Sequence, residues 1–127
     1  MGHTIAKRFS FSASHHLPGL PPGHKCGRPH GHNYTVELVL TCDELIGPGF
    51  VTDFTDLAPM KAYLDDTFVH RDLNEVFDKA PTSERLAEHL AGWAVDHLEP
   101  VLHGRVLRVR VSETDSTWAE YTPDRPA

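Results

Sequence analysis

Between residues 4 and 15 apolar and polar side chains alternate: Ile5, Phe9, Phe11, Ala13 and His15 share one face, and Lys7 is the one break. A period of two over this length predicts a strand with one buried side, and His15 continues the apolar face at the strand's end. Residues 32–41 repeat the pattern with Tyr34, Val36, Leu38 and Leu40 inward. The intervening residues 17–31 hold four prolines and four glycines, which forbid a regular element there. A loop this long inside a small domain is usually functional or disordered, and the histidines that bracket it favour function.

Further along, the spacing changes. Gly47-Pro48-Gly49 predicts a turn and Phe50-Val51 a short extended piece. A helix is expected from Asp53–Asp56 onward, admitting Pro59 in its first turn and burying Leu57, Met60, Leu64 and Phe68. A second helix follows Pro81, with Thr82 as N-cap and Leu86, Leu90, Trp93 and Ala94 inward, and ends at Glu99-Pro100. Val106–Glu113 and Thr117–Tyr121 read as third and fourth strands. The order β-β-α-α-β-β predicts one α+β domain over residues 1–127, with both helices on one face of an antiparallel sheet. Four strands leave two open edges, and closure by oligomerisation would protect them.

The chain of 127 residues, 39% hydrophobic and 24% charged, is long enough to bury a core without disulfides. Its two cysteines, Cys26 and Cys42, make no disulfide framework, and Cys42, ending a strand among aliphatics, reads as inert. No apolar run approaches a membrane span and Met1–Thr4 has no signal-peptide core, so a cytoplasmic protein with no membrane partner is expected. A net charge of −6 argues against nucleic acid as a partner. The charge is uneven: residues 1–36 hold four of the 12 bases and none of the 18 acids. Six of the ten histidines also fall within the first 32 residues. A basic, histidine-dense segment in an acidic chain suits an anion, a metal or both, although an uneven solvated surface would read the same way.

His15 with His30-Gly31-His32 is the strongest constellation. Histidines at i and i+2 project from one face of an extended chain, and His15 ends the neighbouring strand on its inner side. If those strands pair, three imidazoles converge, and a three-histidine zinc site leaves a fourth position for water or substrate. Surface or hydrogen-bonded core histidines are the plainer reading, and His3, His89, His97 and His103 receive it. Cys26 lies beside Lys25 and Arg28, and neighbouring cations favour the thiolate, which suits a general base or nucleophile. It reads equally as an ordinary loop thiol or as a fourth zinc ligand. Glu113 ends a face shared with Leu107, Val109 and Val111, where a ligand's amino and ring N–H groups would satisfy its carboxylate; a solvated strand end is the alternative. His70 and Asp72 follow the first helix. Thr82 and Ser83 open the second, a capping site first and a ligand site second.

His15-His16-Leu17, followed by Gly23-His24-Lys25-Cys26-Gly27-Arg28-Pro29-His30-Gly31-His32-Asn33-Tyr34, resembles the 6-pyruvoyl-tetrahydropterin and 6-carboxy-tetrahydropterin synthase family. Phe50-Val51-Thr52-Asp53-Phe54, His70 with Leu73-Asn74, Pro81-Thr82-Ser83-Glu84 and Ser112-Glu113-Thr114 resemble further family segments in the same order. The resemblance implies a tunnelling fold, in which such subunits close their sheets into a barrel as a homo-oligomer, a hexamer or tetramer. It implies Zn2+ on His15, His30 and His32, Cys26 as general base, His70 as its relay partner, and Glu113 with Thr82 and Ser83 on the pterin. Lys7, Lys25 and Arg28 fall where triphosphate contacts are expected. The spacing of Cys26 before His-Gly-His resembles the bacterial 6-carboxy-tetrahydropterin synthases. The implied reaction takes 7,8-dihydroneopterin triphosphate to 6-carboxy-5,6,7,8-tetrahydropterin, acetaldehyde and triphosphate, toward queuosine and other 7-deazapurines.

Two positions depart from the family pattern. Val69 stands where an acidic residue usually precedes the catalytic histidine, leaving Asp72 or Asp66 as the substitute, and His16 stands where related enzymes often carry arginine. A pyruvoyl-type synthase, and a pterin- or zinc-binding homologue weakened by Val69, remain alternatives to the carboxy enzyme.

Overall fold

The computed structural model describes residues 2–125. β1 (Thr4–His15) and β2 (His30–Thr41) pair antiparallel along their whole length, from Thr4 opposite Thr41 to His15 opposite His30. β2 thus begins two residues before the start predicted from its periodicity, because His30 and Gly31 still extend the ladder. β3 (Arg105–Thr114) pairs with β2, and β4 (Thr117–Tyr121) with β3, giving the sheet order β1-β2-β3-β4. One face carries Phe9, Phe11, Tyr34, Val36, Leu38, Val109 and Val111, all buried.

Leu107 departs from expectation. The β2–β3 register shifts between Val39 and Leu40, so Val106 occupies the buried position and Leu107 is half-buried. A one-residue bulge reverses the inward phase on one side of it only. Glu113 lies on the other side and keeps the face of Val109 and Val111.

The helices cover this buried face. A short 3-10 turn, Phe54–Leu57, capped by the Asp53 carboxylate, leads into α1 (Ala58–Thr67), which buries Met60 and Leu64. The second predicted helix is α3 (Ser83–His97): Thr82 Oγ1 caps it by accepting from the Arg85 N–H at 3.1 Å, and Leu86, Ala87, Leu90, Ala91 and Ala94 are buried. Trp93 is only half-buried, because its ring lies flat on Tyr63 of α1 at 4.4 Å rather than entering the core.

The periodicity does not reveal the segment between the helices. His70–Asp72 runs beside the end of β1 as a strap: the His70 N–H donates to Ser12 O at 2.6 Å and the Ser14 N–H to Arg71 O at 3.0 Å. His70 adopts φ +57°, a left-handed conformation costing a non-glycine residue roughly 1–2 kcal/mol, and these hydrogen bonds hold it there. Asp72 then caps the single-turn helix α2 (Leu73–Val76), accepting from the Asn74 N–H at 3.0 Å. Asn74 in turn clamps the loop after β1, accepting from the His16 N–H at 2.8 Å and donating to His16 O at 3.0 Å.

Candidate metal centre and adjoining hollows

The β1–β2 register places His15 directly opposite His30, with His32 two residues along on the same inner face. The three rings stand nearly perpendicular to one another, with centroids 4.5–4.8 Å apart. One ligand nitrogen from each falls within 4.8 Å of the other two. His15 is 1% exposed, and His30 and His32 are half-buried.

Backbone carbonyls determine where the protons lie. His15 Nδ1 is 3.0 Å from Pro81 O and His30 Nδ1 is 2.7 Å from Arg28 O. A carbonyl can only accept, so both Nδ1 atoms carry hydrogen and donate, and in the neutral rings both Nε2 atoms are left with lone pairs. Those two Nε2 atoms face each other at 2.8 Å. Burial is the largest influence on His15 and, against the opposing pull of the Pro81 carbonyl and Glu113, holds its pKa below the usual imidazole value. A neutral ring therefore offers its lone pair inward. His32 Nε2 is buried and lacks a hydrogen-bond partner among the described residues. The two Nε2 lone pairs of His15 and His30, aimed at each other, repel unless a cation sits between them, and the His32 nitrogen lies beside both. The donor set fits zinc: three imidazole nitrogens, with orienting carbonyls behind two of them.

Tyr34 adds to this support. It is completely buried, its ring stacks on Phe11 at 5.0 Å, and its Oη lies 2.9 Å from His15 Nδ1. Burial, with Glu113 adding to it, raises its pKa, so the phenol stays protonated. Sequence reading placed Tyr34 only as a core residue. The available signal was a polar atom inside a fully buried stripe, two residues after a candidate ligand.

Glu113 reaches the same place from β3. One carboxylate oxygen accepts from Ser83 Oγ at 3.0 Å; the other lies 3.4 Å from His32 Nε2, without hydrogen-bond geometry. Leu17, Thr82, Ser83, Glu113 and Trp118 line an open hollow of about 640 Å³. A second hollow, of about 410 Å³, is lined by Ser12, Ser14, His32, Asn33, His70 and Asp72. His32 links the two: it lines the second and faces the carboxylate of the first.

The remaining predicted residues are less closely joined. Cys26 is half-buried in a 3-10 turn, Lys25–Gly27, held by the Leu17 N–H donating to Cys26 O at 2.8 Å and the Cys26 N–H donating to His24 Nδ1 at 3.1 Å. Its sulfur lies outside the converging ligand set. Lys25 and Arg28 are exposed on the same turn. The His70 ring is exposed, Val69 packs against the core, and the Asp72 carboxylate is engaged in capping α2. Among the described residues no hydrogen bond joins the side chains of Cys26, His70 and Asp72.

The arrangement can hold a divalent cation and can present a carboxylate to a flat, N–H-bearing ligand beside it. Among the described residues no helix is long and apolar enough to cross a membrane. Known proteins share this architecture. An Archaeoglobus fulgidus protein with a provisional name of 6-carboxy-5,6,7,8-tetrahydropterin synthase is 38% identical over 87% of this chain and 88% of its own. The 6-carboxy-5,6,7,8-tetrahydropterin synthase of Synechocystis is 33% identical over 95% of this chain and 94% of its own. The solved 6-pyruvoyl tetrahydropterin synthase of Caenorhabditis elegans superposes with a TM-score of 0.78, at 25% identity and 96% coverage of both chains. A family model described as 6-pyruvoyl tetrahydropterin synthase matches residues 4–124. The chain belongs to the 6-pyruvoyl tetrahydropterin synthase family.

Proposed function

We propose that this protein is a zinc-dependent 6-carboxy-5,6,7,8-tetrahydropterin synthase, a lyase that takes 7,8-dihydroneopterin triphosphate and one water to the carboxypterin, acetaldehyde and triphosphate. The observation that carries the reading is the convergence of three imidazole nitrogens beside a serine-held carboxylate. The 6-carboxy names of two relatives, and the position of Cys26 four residues before His30, favour this product over the pyruvoyl one.

His15, His30 and His32 would hold the zinc, which when bound supplies Lewis acidity to the substrate's side-chain oxygens. The Glu113 carboxylate accepts from the pterin's amino and ring N–H groups, and the Ser83 hydroxyl keeps it oriented for that task. Thr82, at the same helix start, lines the ring's hollow. Cys26 Sγ takes the proton from the side-chain carbon and returns it, and the His70 imidazole exchanges that proton with the thiol. Lys25 and Arg28, exposed on the turn that carries Cys26, meet the triphosphate. The sheet's two open edges, β1 and β4, close by oligomerisation.

A second reading rests on Val69. Its side chain packs against the core, and Asp72, two residues after His70, is engaged as a helix cap, so among the described residues no hydrogen bond or ion pair joins the His70 ring to a carboxylate. A weakened pterin-binding homologue would look like this. Mass spectrometry of zinc-loaded protein mixed with 7,8-dihydroneopterin triphosphate separates the readings. Carboxypterin with acetaldehyde supports the lyase, and a pyruvoyl product supports the sibling enzyme. Bound pterin without turnover, unrescued by Val69→Asp, supports the binding protein.

A further inference from the structure

We infer that copies of this chain join β1 to β4 in one particular register, which places Arg8 opposite the partner's Glu120. The inference rests on the proposal that the open edges close by oligomerisation, and adds to it the residues that set the seam.

Arg8, Glu37, Arg110 and Glu120 stand directly opposite one another across all four strands. They lie on the sheet face turned away from the helices, where charge alternates from one edge to the other. Arg8 donates to Glu37 and Arg110 to Glu120, each at 3.0 Å. The row ends at both edges with opposite signs: Arg8, its side chain 75% exposed, on β1, and Glu120, 39% exposed, on β4. Such a row is self-complementary head to tail. Pairing β1 with another β1 in this row would oppose arginine to arginine.

Strand direction agrees. The four strands alternate, so β4 runs antiparallel to β1. Cyclic symmetry preserves direction along its axis, so β4 of one copy meets β1 of the next as an antiparallel neighbour, and the assembly closes as a ring.

Backbone groups agree as well. The strap shows that Ser12 and Ser14 turn their N–H and C=O groups outward from β1. By alternation Arg8 and Ser10 do the same, Glu37 and Arg110 bond each other, and Val109 and Val111 bond β4. Trp118 and Glu120 are then left with outward-facing groups. Pairing Arg8 with the partner's Glu120, and Ser10 with the partner's Trp118, satisfies both sets at once. Ser10 also leaves room for the indole of Trp118, which is 56% exposed and stacks under Arg110 at 4.7 Å.

Inward-facing residues must stay inward, so the register can change only in steps of two. One step toward the end of β1 would put the incoming Trp118 against Ser12, whose edge the His70–Asp72 strap already occupies. One step the other way sets Arg8 against Trp118 and Glu120 against Ala6. The intermediate register brings the partner's Thr117 opposite Phe11, so its strand abuts the strap, and the partner's Asp115–Ser116 turn comes up to the hollow that holds His70. Exposed ion pairs contribute little free energy, so this pair selects the register and the backbone ladder supplies adhesion.

Disulfide trapping tests the register. Within one chain residues 8 and 120 are three strand spacings apart, about 14 Å, beyond the reach of a disulfide. In the full-length Arg8→Cys/Glu120→Cys variant, diamide is expected to give a ladder of covalent oligomers whose top rung is the ring size found by native mass spectrometry. Ser10→Cys/Trp118→Cys, a second pair in the same register, is expected to do the same. Single-cysteine variants and Arg8→Cys/Trp118→Cys, a diagonal pair, are expected to stay at the uncrosslinked level. An oligomer that crosslinks through 8 and 118, or through none of these pairs, would overturn the register while leaving oligomerisation intact. A parent protein that is monomeric by native mass would overturn both.

Discussion

The metal half and the proton-transfer half of the candidate site are built differently. His15, His30 and His32 lie on two hydrogen-bonded strands, and the ladder alone brings their rings to 4.5–4.8 Å. Pro81, Arg28 and Tyr34 then fix or support the orientation of two of them. Cys26 and His70 lie instead on a 3-10 turn and on the strap, and no hydrogen bond joins their side chains among the described residues. A strand pair positions ligands by backbone geometry, whose spacing is settled when the sheet forms. On the proposed reading, turn and strap residues would take their working geometry from what fills the space between them, substrate or a neighbouring copy.

The largest expected effect tests the metal half. His30→Ala removes one of three ligands at a half-buried strand start, so stoichiometric zinc and turnover should both be lost while the melting temperature stays close to the parent's. Metal analysis of purified protein checks this, and a variant that kept one zinc per chain would remove the assignment. Cys26→Ala cuts the other way. Metal content should be unchanged while kcat falls by about 10²–10⁴, the usual contribution of a positioned acid–base group. Loss of zinc in that variant would move Cys26 into the ligand set and erase the contrast between the halves.

The same contrast explains what the sequence disclosed. Alternation in residues 4–15 and 32–41 located both strands and put His15 and His32 inward, with His30 joining them where the strand extends two residues further back, because side-chain direction in a strand follows from period alone. The capped start of α3 at Thr82 was equally local. Leu107 was misplaced because a bulge arises from the pairing of two strands, which one strand's pattern does not record. The strap and α2 went unseen because their hydrogen bonds run to Ser12, Ser14 and His16, more than 50 residues away. The tautomers of His15 and His30 rest on carbonyl oxygens, which every residue possesses and no sequence marks. Cys26 and Glu113 stood out by their neighbours and strand position, and the family resemblance gave them and His70 their roles; of the three, Glu113 comes up to the trio, 3.4 Å from His32 Nε2.

Smaller effects probe the support behind the ligands. Tyr34→Phe keeps the stacked ring on Phe11 and deletes the oxygen beside His15 Nδ1. Outer-shell partners of metal-bound histidine typically contribute 10–100-fold in affinity, so zinc Kd should rise by about that factor in a chelator competition. An unchanged Kd would mean that the Pro81 carbonyl alone orients the ring.

Ser83→Ala should give the smallest change, on the side of the site that faces the ligand. Ser83 Oγ donates to Glu113 Oε1 at 3.0 Å, and among the described residues no hydrogen bond joins it to His15, His30, His32 or Cys26. Thr82, not Ser83, supplies the side-chain cap of α3, so the helix keeps its start. A hydrogen bond to a charged group contributes roughly 1.5–3 kcal/mol, and less here because the Glu113 side chain is 24% exposed to water. The expected result is a KM for the pterin raised up to about tenfold, with kcat and zinc content near the parent's. Ser83→Thr, which restores a hydroxyl, should recover most of the loss. A kcat effect without a KM effect would instead place Ser83 among the groups that act on the transition state, and would tie the carboxylate half of the site to the chemistry rather than to binding.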